Sequence, residues 1–307
     1  MLAPSGEQYE ISGGGYRAVV TECGAGLRGL EYDGQALVEG YDEGEQATAG
    51  RGQLLLPWPN RIEDGAFTFR GRDLQLAISE LHRNNASHGL TRWASWSREE
   101  QSGQSVTLVY RLMAQSGYPW TVDLHVLYDV SAVGLTVTVT ASNMSDTPAP
   151  FAQGAHPYLS VGDDRVDSWE LRLPAAARVL TDERKLPVGL EDVDDTGYDF
   201  RVARPIRDLQ LDDAFTGLTR GADGRVEVEL RNPRTGAAVG IWMDQAHEWV
   251  QVYSGDDLES AQARRSLAVE PMTAPANAFR TGEGLIVLGP AGSADDTHSA
   301  SWGISSL

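Results

Sequence analysis

From Trp120 to Val130 the chain reads WTVDLHVLYDV. Trp120, Val122, Leu124, Val126, Tyr128 and Val130 share one face, and Thr121, Asp123, His125 and Asp129 share the other, with Leu127 as the exception. An apolar residue at every second position marks a strand that buries one side and wets the other. Outward from this stretch the same period recurs. GLTVTVTASN from Gly134 sets Leu135, Val137 and Val139 between threonines, and SVTLVYRLMA from Ser105 and VEVELRN from Val226 alternate likewise. Turn signals punctuate the runs: YDGQ at Tyr32, EDGA at Glu63, FRGRD at Phe69, ADGR at Ala222 and PRTG at Pro233. No amphipathic helix of ordinary length interrupts them. Many short strands at regular spacing predict an all-β fold, a large antiparallel β-sandwich or barrel.

No break separates two cores, so one domain is expected over residues 1–307. The acidic, irregular segment from Leu186 to Gln210 reads as a long loop. The small, polar tail PAGSADDTHSASWG is expected to fray from about residue 291. The apolar share of 41% is ample for a core, and the formal charge of −19 opposes nucleic acid or an anionic membrane as partner. A single cysteine, Cys23, allows no intrachain disulfide. The N-terminal residues carry no basic and apolar leader pattern, and no apolar run approaches ~18 residues, so a cytoplasmic protein is expected. Monomer and homodimer both remain open.

Several residues could carry chemistry. In GAHPYLSVG, His156 precedes Pro157, and imidazole titrates near neutrality. It is either a proton donor or acceptor, or a histidine hydrogen-bonded at a strand end. In SLAVEPMTAPANAF, Glu270 ends the apolar run Leu267 to Val269. It is either a desolvated general base with a raised pKa or a rim carboxylate in water. LLPWPNRI presents Asn60 and Arg61 after Pro57 and Pro59, which stiffen the backbone. His82 and His88 stand six apart, which is no metal spacing, and no metal site is expected. Asp212 and Asp213 are either a solvated turn or a ligand pair. Trp249, Gln251 and Tyr253 share a strand face, either as a core strand or as the aromatic-and-amide platform that sugar rings favour.

In order along the chain, PWPNRI, SHG, GYPW, GAHPYL, LDDAF, VQVYSG and VEPMTAPANAF resemble the successive signatures of the aldose 1-epimerase (galactose mutarotase) family. The resemblance runs from about Gly15 to Leu288. It implies a galactose mutarotase-like supersandwich with a sugar cleft, a small-molecule sugar substrate, and neither metal nor organic cofactor. It further implies Glu270 as general base and His156 as general acid, with Asn60, Arg61, His88, Asp212, Gln251 and Tyr253 binding the sugar. LLPWPNR in place of Gly-Arg-Val-Ala before Asn-Arg, and EPMTAPANAF in place of the Gln-and-Pro-Asp-Ala version, are more similar to a divergent bacterial branch.

The implied reaction is interconversion of α and β anomers of a hexose by ring opening and reclosure. Two alternatives stand beside it. A hexose-6-phosphate 1-epimerase would need a basic cluster, for which Arg61, Arg83 and Arg92 are candidates. A non-catalytic carbohydrate-binding sandwich would have lost the acid–base pair, yet Glu270 and His156 are both present.

Overall fold

The computed structural model describes residues 2–307. Two large antiparallel sheets dominate. In the nine-stranded sheet the spatial order is Ser97–Gln101, Ser105–Leu112, Val122–Ser131, Gly134–Asn143, Thr297–Ser306, Ala238–Met243, Val226–Arg231, Glu170–Arg172 and Arg204–Pro205. The second sheet runs Pro187–Asp192, Ala175–Thr181, Asp212–Leu218, Trp249–Tyr253, Leu267–Met272, Gly154–Ala155 and Leu54–Leu55, with Tyr158–Leu159 also paired to Leu267–Met272. A four-stranded sheet formed by residues 8–36 flanks them. The one α-helical turn among the described residues is Ala278–Thr281.

The strand 122–131 obeys its sequence pattern. Val122, Leu124, Val126 and Tyr128 are fully buried, whereas His125 and Leu127 share the outer face. Its inward residues join Val137 and Val139 of the next strand and Val250, Val252, Leu267 and Val269 of the second sheet in one core. Sheet-on-sheet burial of this kind makes a β-sandwich.

The tail departs from expectation. Thr297–Ser306 does not fray; it is a central strand between Gly134–Asn143 and Ala238–Met243. Ala300, Trp302 and Ile304 point into the core. On the other face hydroxyls pair across strands: Thr138 with Ser301 at 2.9 Å, Thr140 with Ser299 at 3.0 Å and Ser142 with Thr297 at 2.9 Å. Small hydroxyl residues here are cross-strand partners rather than a disorder signal. The presumed loop from Leu186 to Gln210 likewise contains an edge strand, Pro187–Asp192, and the short pairing strand Arg204–Pro205.

Candidate active site

Three neighbouring strands of the second sheet place the polar residues. In Trp249–Tyr253, Val250 and Val252 enter the core, so Trp249, Gln251 and Tyr253 project to the opposite side. Gln251 lies directly across from Glu270, and Tyr253 across from Asp212. Glu270 does not end its strand, which continues through Pro271 to Met272. Leu267 and Val269 face the core, and Glu270 faces away from it.

That outer side is covered by the loops around residues 47–61 and 79–93, leaving a cavity of about 500 Å³. Its lining includes Asn60, Arg61, His88, His156, Asp212, Gln251, Tyr253 and Glu270, so every site residue expected from the sequence meets in one place. A cavity of this volume is within the range of small-molecule sites. Trp249 is not among the lining residues; it packs with Val179, Ala214 and Met272 instead. Asp213 turns to the other face and pairs with Arg178 at 2.9 Å.

The floor is a buried carboxyl–imidazole pair. His156 Nε2 stands 3.2 Å from Glu270 Oε1, with the residues 6% and 2% exposed. Glu270 Oε2 and His156 Nδ1 have no protein partner. Burial, then the Asp212 charge, push the Glu270 carboxyl well above the usual carboxylate range, with Arg61 opposing. Burial, then the Arg92 charge, push His156 far below the usual imidazole range. Both shifts favour the uncharged form of each partner, with the proton on the carboxyl.

His156 is positioned from behind. Its main chain exchanges hydrogen bonds with Gln53 and Gly52, and its ring stacks on Tyr158 at 4.9 Å. Gly50 has φ +75°, and a Cβ there would lie 2.7 Å from His156 Cδ2, so this turn accepts only glycine without moving the imidazole. His88 is held with φ 60°, and its Nδ1 accepts a hydrogen bond from the Asn60 main-chain N–H at 3.2 Å. Burial and the charge of Arg92 depress its pKa. A neutral ring accepting at Nδ1 carries its proton on Nε2, as a donor.

The rest is a chain of hydrogen bonds. Arg61 Nη1 donates to Asn60 Oδ1 at 3.2 Å, Asn60 Nδ2 donates to Gln251 Oε1 at 3.2 Å, and Gln251 Nε2 donates to Asp212 Oδ1 at 2.8 Å. Lys185 closes the row on Asp212 at 2.9 Å. Sequence reading missed Glu80, whose carboxylate grips Arg61 through Nε at 2.9 Å and Arg83 at 2.8 Å. Burial pushes the Glu80 carboxyl up, but the Arg61 hydrogen bond and charge win and hold it at about 2. The stiff proline segment therefore does not fix Arg61 alone. No sequence spacing signals a pair nineteen residues apart.

Comparison with known proteins follows the same line. Residues 7–296 match the family model described as aldose 1-epimerase. The uncharacterized protein YihR of Escherichia coli (strain K12) is 36% identical over 285 residues, covering 92% of this chain and 89% of that protein. The galactose mutarotase of Bos taurus is 23% identical, covering 86% of this chain and 82% of its own. Among solved structures, a GalM/aldose epimerase homologue from C. elegans superposes with a TM-score of 0.86 at 21% identity, covering 98% of each chain. The galactose mutarotase-like β-sandwich is therefore shared across nearly the whole length, and the chain belongs to the aldose 1-epimerase family.

Proposed function

We propose that the protein is an aldose 1-epimerase that interconverts the α and β anomers of a hexose. The observation that carries this reading is the 3.2 Å approach of His156 and Glu270 on the floor of a cavity of small-molecule size. Ring opening removes a proton from the C1 hydroxyl and delivers one to the ring oxygen, breaking the bond between C1 and that oxygen. Glu270 as carboxylate takes the first proton, and His156 as imidazolium gives the second. The pair is then a neutral acid beside a neutral imidazole. The aldehyde turns about its C1–C2 bond. Glu270 returns its proton to the carbonyl oxygen, and His156 removes one from the attacking hydroxyl.

The shifted pKa values fit this cycle. Burial favours the uncharged pair, which is the pair present while the sugar is open. It thereby stabilises the high-energy open form relative to the two closed ones. Asn60, Arg61, His88, Gln251 and Asp212 hold hydroxyls so that both transfers are in reach.

The test is the α-to-β interconversion rate of freshly dissolved sugars, by polarimetry or anomeric proton NMR, for wild type and Glu270→Gln. Acceleration by the wild type that falls ~10²–10⁴-fold in the variant is expected. Sugar binding without acceleration would replace the enzyme with a carbohydrate-binding protein on the same fold.

A further inference from the structure

The row of hydrogen bonds in the cavity ends on Lys185, the one lysine of a chain whose other fixed cations are arginines. Lys185 does not line the main cavity. It flanks a narrow crevice beside it, together with Asn60, Arg61, Asp212 and Gln251. Those four residues line both spaces, so the row is the wall between them. Among the described residues Asp212 is the one ion-pair partner of Lys185. Any influence of this ammonium on a bound sugar therefore passes through Asp212.

The fold holds Lys185 in place. Strands Ala175–Thr181 and Asp212–Leu218 are hydrogen-bonded neighbours, so the turn that follows Thr181 lies beside Asp212. In that turn the Asp182 carboxylate accepts from the main-chain N–H of Arg184 at 2.8 Å and of Leu186 at 2.9 Å. The Arg184 guanidinium donates to the Arg83 carbonyl at 2.9 Å and to Asp64 at 2.8 Å. Asn85 Nδ2 donates at 3.0 Å both to the Arg184 carbonyl and to Glu80, the carboxylate that grips Arg61. Lys185 itself has φ 61°, a left-handed conformation uncommon for a residue with a side chain.

Every bond of the row runs toward Asp212. Arg61 donates to Asn60, Asn60 to Gln251, and Gln251 to Asp212 Oδ1, while Lys185 meets Oδ2 from the other side at 2.9 Å. Held by Gln251 alone, the carboxylate could turn about its terminal torsion, which has a broad well. Held at both oxygens, it keeps one plane, and each oxygen retains a lone pair for a sugar hydroxyl. An ammonium suits this task because a point charge can take one oxygen, whereas a guanidinium fork matches both and would compete with Gln251. We propose that Lys185 is a positioning residue for the sugar, locking the Asp212 carboxylate in the orientation that accepts a ring hydroxyl. The inference rests on the mutarotase reading for its ligand. The ion pair also draws on the Asp212 charge, which by itself would loosen the grip on a hydroxyl. The sign of the effect of Lys185 thus separates orientation from competition.

The test is a double-mutant cycle on glucose, galactose and mannose, with wild type, Lys185→Met, Asp212→Ala and the double variant. KM and kcat are read by anomeric NMR and affinity by calorimetry. Lys185→Met should raise KM roughly fivefold, the scale of one intramolecular hydrogen bond. Its kcat should stay within about twofold, the pattern of lost binding shared by ground and transition states. Lys185→Arg should recover part of the loss. In the Asp212→Ala background the same change should move KM less than about twofold, because the carboxylate it acts on is gone. An equal factor in both backgrounds, or no change in either, overturns the inference. So does a KM that falls in Lys185→Met, which would show competition. If Lys185→Met fails to fold, acetylation of the folded wild type replaces it. Lys185 is 31% exposed and carries the only side-chain amine, and Lys185→Arg treated alike is the control. A KM rise confined to the acetylated wild type upholds the inference, and an unchanged KM overturns it. Sugar binding without turnover leaves the cycle readable in Kd and overturns the mutarotase reading alone. Absence of binding by all three sugars overturns both.

Discussion

The two large sheets follow one alternation rule and use it to opposite ends. In the nine-stranded sheet, side chains that leave the core reach water or a hydroxyl ladder, as Thr138, Thr140 and Ser142 do with the last strand. In the second sheet the outer face is roofed by loops, so Gln251 and Glu270 leave one buried environment for another, at 5% and 2% exposure. Glu270 even keeps an oxygen with no partner. Such a group opposes folding and persists only where something other than stability requires it. Both sheets supply the one core, but only the second buries polar groups on its outer face as well.

The contrast breaks most visibly if the wrong sheet proves to matter for stability. Leu124, fully buried in the nine-stranded sheet, should cost about 2–5 kcal/mol as Leu124→Ala in denaturant unfolding. Turnover per folded molecule should be unchanged. Glu270→Gln should do the reverse, cutting turnover ~10²–10⁴-fold while the unfolding midpoint holds. If Glu270→Gln unfolds the protein as readily as Leu124→Ala does, the division of labour is wrong.

An effect of similar size should be lost only in acid. The Glu80 carboxyl sits at about 2 against a usual 4.5. A folded-state value below the unfolded one adds stability that is complete above about 4.5 and is lost as the pH falls toward 2. The interval corresponds to about 3 kcal/mol, held by Arg61 and Arg83 on a carboxylate whose side chain is 11% exposed. Glu80→Gln should therefore weaken folding most at neutral pH and match the wild type near pH 2. A constant difference across that range would show that Glu80 acts by packing alone.

Most of the architecture is legible in the sequence because the nine-stranded sheet wets one face, and wetting writes itself as a period of two. The last strand escaped notice because its outer residues, Ser299 and Ser301, are small partners of threonines far away in the chain. Pro187–Asp192 escaped because an edge strand with exposed Val188 and Leu190 carries no alternation. In the cavity, Glu270, His156 and Gln251 could be singled out by motif, since the chemistry expected of each is tied to its residue type. The pairing of Glu80 with Arg61 and Arg83 could not. Whether a charge is paired depends on what the fold brings near it, and that is a long-range property with no local pattern.

The smallest effect separates two adjacent carboxylates. Asp212 and Asp213 look equivalent in sequence, but the strand sends them to opposite faces. Asp212 accepts from Gln251 in the cavity and pairs with Lys185, whereas Asp213 pairs with Arg178 outside it. Asp212→Ala should raise KM roughly tenfold or more, the range for losing a hydrogen bond to a charged group. Asp213→Ala should leave KM within about threefold and cost about 1 kcal/mol of stability through Arg178. Asp212→Asn sharpens the comparison because it keeps the shape and removes only the charge. The Asp212 charge is part of what pushes Glu270 upward, after burial. Neutralising it should lower the Glu270 pKa and shift the alkaline limb of the kcat/KM profile to lower pH. Asp213→Asn, whose carboxylate faces away, should leave that limb in place. Equal displacement by both variants would mean that the Glu270 proton responds to overall charge rather than to its neighbour across the sheet.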